Sequence, residues 1–328
     1  MYFLEGEKMS EFITIGEPIV TFASTDADAD LVHAENFKKI VGGAELNVAI
    51  GVSRLGHSTE YITRVGNDPL GSFVKNEIKA NQVGADYVSF DDDNWTAFQL
   101  KEKVTVGDPL TFNFRRNSAA AHLSKDIIEK VDLSDVKIAH MSGIFPAIST
   151  MAQTSFRRLF ERLNQKNVFT TFDPNLRPSL WPNEKIMIKT INELAAFADV
   201  VLPGTNEGKI LMGSSDPETI ADYYLQSDKT KTVIVKVGPQ GAYVKNEGQA
   251  GYYVNGFKVK NVVDTVGAGD GFALGYITAT LEGKSQKSAV MRGNAVGALQ
   301  VQTPGDNDGY PTAEKLTDFY GKEGVSEN

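Results

Sequence analysis

The stretch NVVDTVGAGDGFALGYITATLEG, residues 261–283, sets one carboxylate, Asp270, among three glycines, and no other charged residue follows for eleven positions. Gly267, Ala268 and Gly269 are small enough for a ligand to approach the backbone closely. Their N–H groups can point at one place, at a helix N-terminus whose dipole favours negative charge. A carboxylate beside such a nest has the chemistry of a general base: it takes the proton of a hydroxyl while the amides hold charge forming on a transferring phosphoryl group. The same residues also suit a plain strand-to-helix turn in which Asp270 is a first-turn partner of the dipole, and the pattern alone serves both uses equally. Familiar phosphate loops do not fit. Gly267, Gly269 and Gly271 read GxGxG, with Phe272 where the dinucleotide fingerprint needs its last glycine. GKS at 283–285 has Thr278 where a Walker A loop needs its first glycine. No HRD-type loop of the protein kinases is present.

These residues need a scaffold, and the alternation of elements along the chain supplies one. EFITIG (11–16), EYITRVG (60–66), KIAHMSG (137–143), NVFTTFD (167–173), DVVLPG (199–204) and TVIVKVG (232–238) read as buried strands, apolar and β-branched with a turn residue at the end. Helical patterns lie between them. ELNVAIGVSRLG (45–56) repeats apolar positions at helical spacing, and DPLGSFVKNEIKANQVG (68–84) has Asp68 as N-cap, Pro69 in the first turn and Gly84 beyond its end. The expected fold is α/β, a doubly wound and mostly parallel sheet with helices on both faces and ligands at the carboxyl ends of the strands. IVTFAS (19–24) with its acidic tail DADAD, and WTAFQLKEKVTVGDPLTFNF (95–114), alternate polar and apolar residues instead. They predict a small antiparallel β-sheet lid with one wet face, inserted at about 17–40 and 92–120 in a single domain over 10–320.

Composition narrows the partners. With 328 residues, 41% of them hydrophobic, the chain buries a large core; its net charge of −9 argues against a general nucleic-acid or membrane-surface binder. The absence of cysteine excludes disulfides and thiolate metal sites. His33, His57, His122 and His140 show no ligand spacing. No run of about 18 apolar residues suggests a membrane span. MYFLEGEKMSEF is too short and acidic for a signal peptide, Met9 can serve as the natural initiator, and a cytoplasmic location is expected.

DTVGAGDGF (264–272) resembles the C-terminal signature of the ribokinase-like (PfkB) carbohydrate kinases, and VGGAELNVAIGVSRLG (41–56) resembles their N-terminal one. The order of strands and helices between them fits, so the likeness covers nearly the whole chain. It implies phosphorylation of a sugar hydroxyl by ATP with Mg2+, Asp270 as base and Gly267, Ala268 and Gly269 as anion hole. It also implies that Gly42, Gly43 and Asn47 line the sugar pocket, although GGAELN equally makes a glycine turn capping a helix. VKVGPQGAYV (235–244) is similar to the nucleotide-side turn, with Lys236, Gly238 and Gly241 near phosphates or ribose; in isolation it reads as a β-hairpin. Asn294 matches a position bordering adenine, and reads as well as a core-facing helix residue. The family's N-x-x-E motif departs here: Gly204 stands where the Asn belongs, while Glu207, implied to act through water on Mg2+, is kept. Asp264 is implied as a ligand of a monovalent cation, potassium. Lid sheets that pair between subunits imply a homo-oligomer.

The substrate turns on charge, since a sugar acid needs a cation for its carboxylate, ideally the arginine fork. FDPNLRPSLW (172–181) puts Asn175 and Arg177 beyond a strand end, for substrate or nucleotide, but resembles both fructokinases and 2-keto-3-deoxygluconate kinases. GEP (16–18) and GGAELN (42–47) are closer to the ketodeoxygluconate enzymes, as is PGDNDGYP (304–311), where Asp306 is implied to touch substrate. FNFRRNSAA (112–120) is similar to the lid strand that presents an arginine to the substrate, here Arg115. Arg116 reads as a solvated lid edge. Asn113 and Gln99 replace expected tyrosines, which alters hydroxyl recognition. An arginine bound to a carboxylate contributes roughly 1.5 to 3 kcal/mol, or about tenfold to a hundredfold over an uncharged sugar. The sequence thus points to phosphorylation of 2-keto-3-deoxygluconate at its 6-hydroxyl. A fructokinase or other ketose kinase is the near rival, and a non-catalytic sugar sensor on the same fold the distant one.

Overall fold

The computed structural model describes residues 10–105 and 109–327. Met9, and residues 106–108 in the second lid segment, lie outside them. The described strands in chain order are β1 (Phe12–Ile15), β2 (Ile19–Ala27), β3 (Phe37–Gly42), β4 (Thr59–Gly66), β5 (Val88–Asp91), β6 (Phe98–Lys103), β7 (Thr111–Phe114), β8 (Ile138–Ser142), β9 (Phe169–Asp173), β10 (Val200–Val201), β11 (Thr232–Lys236), β12 (Gly241–Asn246) and β13 (Tyr252–Asn255). The helices are α1 (Ala44–Arg54), α2 (Pro69–Ala80), α3 (Lys125–Glu129), α4 (Thr150–Gln165), α5 (Glu184–Ala195), α6 (Thr205–Met212), α7 (Pro217–Tyr224), α8 (Ala268–Leu281), α9 (Gln286–Gln300) and α10 (Ala313–Glu323).

Nine strands form the core sheet in the order β13-β12-β11-β10-β9-β8-β1-β4-β5, parallel from β5 to β11 with an antiparallel hairpin, β12 and β13, at the edge. The six strands read from the sequence are all present. β1 shows why the sheet is covered on both faces. Phe12 packs with α1, α8 and α9 residues on one side, while Ile13 and Ile15 pack with Phe156, Phe160 and Phe172 on the other. Strand order switches direction at β1, between β4 and β8, and in such sheets the crevice above the switch is where ligands bind. The sheet's two faces are thus core, and its carboxyl edge is left for chemistry.

Local signals set the helix starts. Asp68 Oδ1 accepts the Gly71 N–H at 2.7 Å with Pro69 opening α2, as the sequence predicts. α8 is apolar on all sides because it is a central helix: a methyl at its Gly275 would meet the Arg292 carbonyl oxygen of α9 at 2.7 Å. Only glycine permits that approach. No described helix is long and apolar enough to cross a membrane.

The remaining four strands form a second sheet, β3-β2-β6-β7. The expectation of an antiparallel lid needs correction: β2 pairs antiparallel with β3, and β6 with β7, but the central pair β2–β6 is parallel. The cause lies in the core. β2 leaves from the end of β1 and β6 follows β5, and those two core strands run the same way, so both excursions set out in one direction.

Candidate active site

Above the carboxyl ends of the core strands, and under the lid, lies a cleft of about 1180 Å³. Asp270 is at its base, in the first turn of α8. Gly267 takes φ 78° as N-cap, a left-handed turn that suits glycine, and its carbonyl accepts the Gly271 N–H and the Tyr310 hydroxyl. Because Gly271 makes the first intrahelical bond, the N–H groups of Gly269 and Asp270 have no intrahelical acceptor. Ala268 behaves differently. Its N–H turns to the Thr265 carbonyl at 3.3 Å, and it does not line the cleft.

Asp270 Oδ2 accepts from Asn47 Nδ2 at 3.0 Å, and Asn47 Oδ1 accepts from Asn307 Nδ2 at 3.0 Å. This chain ties α1, α8 and the loop after α9 to one carboxyl group. Burial pushes that carboxyl up to about 6; the Asn47 hydrogen bond opposes the rise, Asp173 adds to it, and Arg177 and Lys236 pull it down. A carboxylate so placed is ionised at neutral pH yet basic enough to accept a proton.

Across the cleft, Lys236 at the end of β11 holds Asp173 at the end of β9, with Nζ 2.5 Å from Oδ2. The ammonium lies 3.7 Å from where a Gly269 Cβ would be, so it faces the first turn of α8. Glu207 in α6 accepts the Gly204 N–H at 2.7 Å and the Leu176 N–H at 3.0 Å, joining the loops after β9 and β10. Burial first, then Asp173, raises its pKa. Gly204 itself has φ −93° and room for a Cβ, which would sit in ordinary contact with Glu207 Oε2 at 3.5 Å.

On the lid side, Arg115 donates from Nε to Glu17 Oε2 at 2.7 Å, with Nη2 2.5 Å from the same oxygen; Ser118 hydrogen-bonds the other Glu17 oxygen. Glu17 is fully buried at the junction of β1 and β2, and Arg115 is 13% exposed. The guanidinium reaches the cleft already balanced by an internal carboxylate. Below it Glu45 is buried, and neither of its oxygens has a hydrogen-bond partner in another described residue; burial, then its own backbone bond and the Asp270 charge, leave its pKa at about 8. Gln99 donates to Thr21 Oγ1 at 2.7 Å, and Lys101 on the same strand pairs with Asp264 Oδ2 at 3.2 Å. The other Asp264 oxygen accepts the Val266 N–H at 2.9 Å.

Of the residues singled out from sequence, Gly43, Asn47, Gln99, Asn113, Arg115, Asn175, Arg177, Glu207, Lys236, Asp264, Gly267, Gly269, Asp270 and Asp306 line this one cleft, and so does Arg116. Gly42 sits behind it, where a methyl would meet Asp306 Oδ2 at 2.6 Å. Gly238, Gly241 and Asn294 do not line it. Gly241 packs against the Val254 carbonyl, and Asn294 Nδ2 donates to the Val254 and Asn255 carbonyls at 3.1 Å each, so these two meet at β13. VKVGPQGAYV is the β11–β12 hairpin, turned by residues Gly238–Gln240. Sequence reasoning missed Glu17, Glu45, Lys101, Asp173 and Asn307. GEP and FDPN carried two of them in plain view, but only their contacts give them work.

Among the described residues no three carboxylates or imidazoles gather as a metal site. The acidic rim of Asp173 and Glu207 beside Lys236 suits a divalent ion that arrives with phosphate and water. At Asp264 one oxygen faces the Lys101 ammonium and the other accepts the Val266 N–H, which leaves each oxygen a lone pair for a monovalent ion.

The family model for the pfkB family carbohydrate kinases matches residues 9–313. The chain is 43% identical over 308 residues to a 2-dehydro-3-deoxygluconokinase of Bacillus subtilis (strain 168), covering 94% of each. It is 32% identical to a probable chloroplastic fructokinase-6 of Arabidopsis thaliana, over 93% of this chain and 80% of that one. A solved structure of a putative ribokinase II from E. coli in complex with ATP and Mg2+ superposes with a TM-score of 0.85 at 25% identity, over 96% of this chain and 100% of that one. With the ribokinase-like fold and the family model both spanning nearly all of it, the chain belongs to the pfkB family of carbohydrate kinases and is a sugar kinase.

Proposed function

We propose that the protein transfers the γ-phosphoryl group of ATP to the 6-hydroxyl of 2-keto-3-deoxygluconate, giving the 6-phosphate. The observation that carries the chemistry is Asp270, a partly shielded carboxylate in the first turn of α8, held by Asn47 and facing Lys236 across the cleft. Asp270 takes the acceptor proton as the oxygen attacks phosphorus, and the proton stays on its carboxyl until product leaves. The free Gly269 and Asp270 N–H groups and the Lys236 ammonium receive the charge of the transferring group. Mg2+ brought with the nucleotide would offset phosphate charge, and Glu207 would hold it through water. Asp264 would be the residue that holds potassium, through the lone pairs that Lys101 and the Val266 N–H leave open. The nucleotide extends from the cleft toward the Gly238–Gly241 turn and Asn294.

The lid supplies sugar recognition through Gln99, Asn113 and Arg115, with Gly43, Arg177 and Asp306 from the core. The identity to the Bacillus enzyme supports the sugar acid. The Glu17 pairing of Arg115 favours a neutral ketose such as fructose as the second reading, because the lid guanidinium is already balanced by a buried carboxylate. Exposed Leu110, Phe112 and Phe114 on the lid support a homo-oligomer, and the use of ATP goes with a cytoplasmic location. The test is an ADP-release assay across ketodeoxygluconate, ketodeoxygalactonate, fructose, ribose and no sugar. Turnover fastest with the sugar acids is expected; preference for fructose overturns the assignment in favour of the second reading.

A further inference from the structure

Two acidic loops flank the first turn of α8, and a lid lysine pairs with the first of them. Asp264 precedes the glycine turn, and its Oδ1 fixes the Val266 N–H that leads into Gly267. Asp306 follows α9; its carbonyl packs so closely on Gly267 that a methyl there would lie 2.0 Å from the oxygen, and its carboxyl abuts Gly42. Lys101 places Nζ 3.2 Å from Asp264 Oδ2, with both side chains largely shielded at 15% and 19% exposure. Its charge also opposes the effect of burial on the Asp306 carboxyl, to which Asp264 and Asp308 add repulsion. Lys101 itself is fixed from both sides: within β6 it pairs with Ala23 of β2 and Thr111 of β7. Without that ammonium, two carboxylates would stand uncompensated beside the place where a triphosphate must enter. A shielded pair of this kind is also costly to break from one side only.

We infer that Lys101 is a positioning residue for phosphoryl transfer, the link through which a seated lid holds Asp264 and thereby sets the turn at Gly267–Asp270. The lid and the anion cradle are then organised in one event: sugar that draws the lid down also completes the site for the phosphate. The inference rests on the reading of Asp270 as the base, and goes beyond it by giving the lid a contact with the nucleotide side as well as the sugar side.

The test is a double-mutant cycle of Lys101→Met and Asp264→Asn, with Lys101→Arg as the conservative variant, read by steady-state kinetics and by hydrogen exchange over residues 262–270. Lys101→Met is expected to lower kcat/KM for ATP by about tenfold to a hundredfold, with the double variant no worse than the poorer single one, as coupled partners require. Lys101→Arg recovers most of the loss. Exchange at 262–267 quickens in Lys101→Met even though that segment is far from residue 101 in sequence. Additive losses, or unchanged exchange at 262–267 in Lys101→Met and Asp264→Asn alike, overturn the inference. Asp270→Asn separates the two ideas. If it turns over normally the reading of the base has failed; if it is inactive while Lys101→Met matches the parent, only the role of Lys101 has.

Discussion

At the scale of residues, the chemistry converges on Asp270 and the groups that set its proton affinity. Replacing it with Asn keeps the shape and the Asn47 neighbour but removes the base, so kcat should fall roughly a hundredfold to ten-thousandfold while ATP and sugar still bind in calorimetry. The carboxyl at about 6 implies an acid limb in the pH–rate profile near that value, since the base works only when ionised. Asn47 stabilises the ionised form through its hydrogen bond. In Asn47→Ala the limb should therefore move to higher pH, and activity at pH 6 should fall more than activity at pH 8; a limb that stays put would remove Asn47 from this role. Asp270 and its glycines were legible in the sequence because they are contiguous. The Asn47 bond was not, because it joins residues 223 positions apart.

Elements carry the next set of consequences. The first turn of α1 buries Glu45 without a partner among the described residues, and its carboxyl stays protonated up to about 8 against an ordinary 4.5. An unfolded chain ionises this group above 4.5 while the folded one does not. The stability it contributes is therefore complete below 4.5, is lost as pH climbs, and is gone by about 8. Glu45→Gln, neutral throughout, should stabilise the protein by on the order of 3 kcal/mol at pH 7 and by little at pH 4.5, measured by denaturant unfolding at both. The lid gives a second prediction at this scale. Sugar binding should slow hydrogen exchange in β6 and β7, and an unchanged pattern would mean a static flap. Alternation of polar and apolar residues disclosed these lid strands. It did not disclose their parallel central pairing, because period-two patterning marks a strand's faces and says nothing of its neighbour's direction. Nor did it reveal that Arg115 is met by Glu17, since the GEP segment gave no local sign of a carboxylate buried beneath the lid.

For the molecule as a whole, the order of strands does much of the positioning. β1 lies where the sheet reverses its winding, so α1, α8 and the two stems of the lid come together over one edge. Alternating strand and helix patterns made that architecture readable, and the hairpin at β12–β13 adds an antiparallel border to it. The lid is a different kind of object from an ordinary loop. It is stitched from two separate excursions, 19–42 and 98–114, joined side by side through β2 and β6. Each excursion is anchored to the core at both of its ends. A protease that nicked the turn between β2 and β3 would cut the thread without freeing the cloth: β2 would stay laced to β6, β3 to β2, and each to its own root. Clipped protein should thus keep its cover over the cleft, and the two pieces should part only in denaturant.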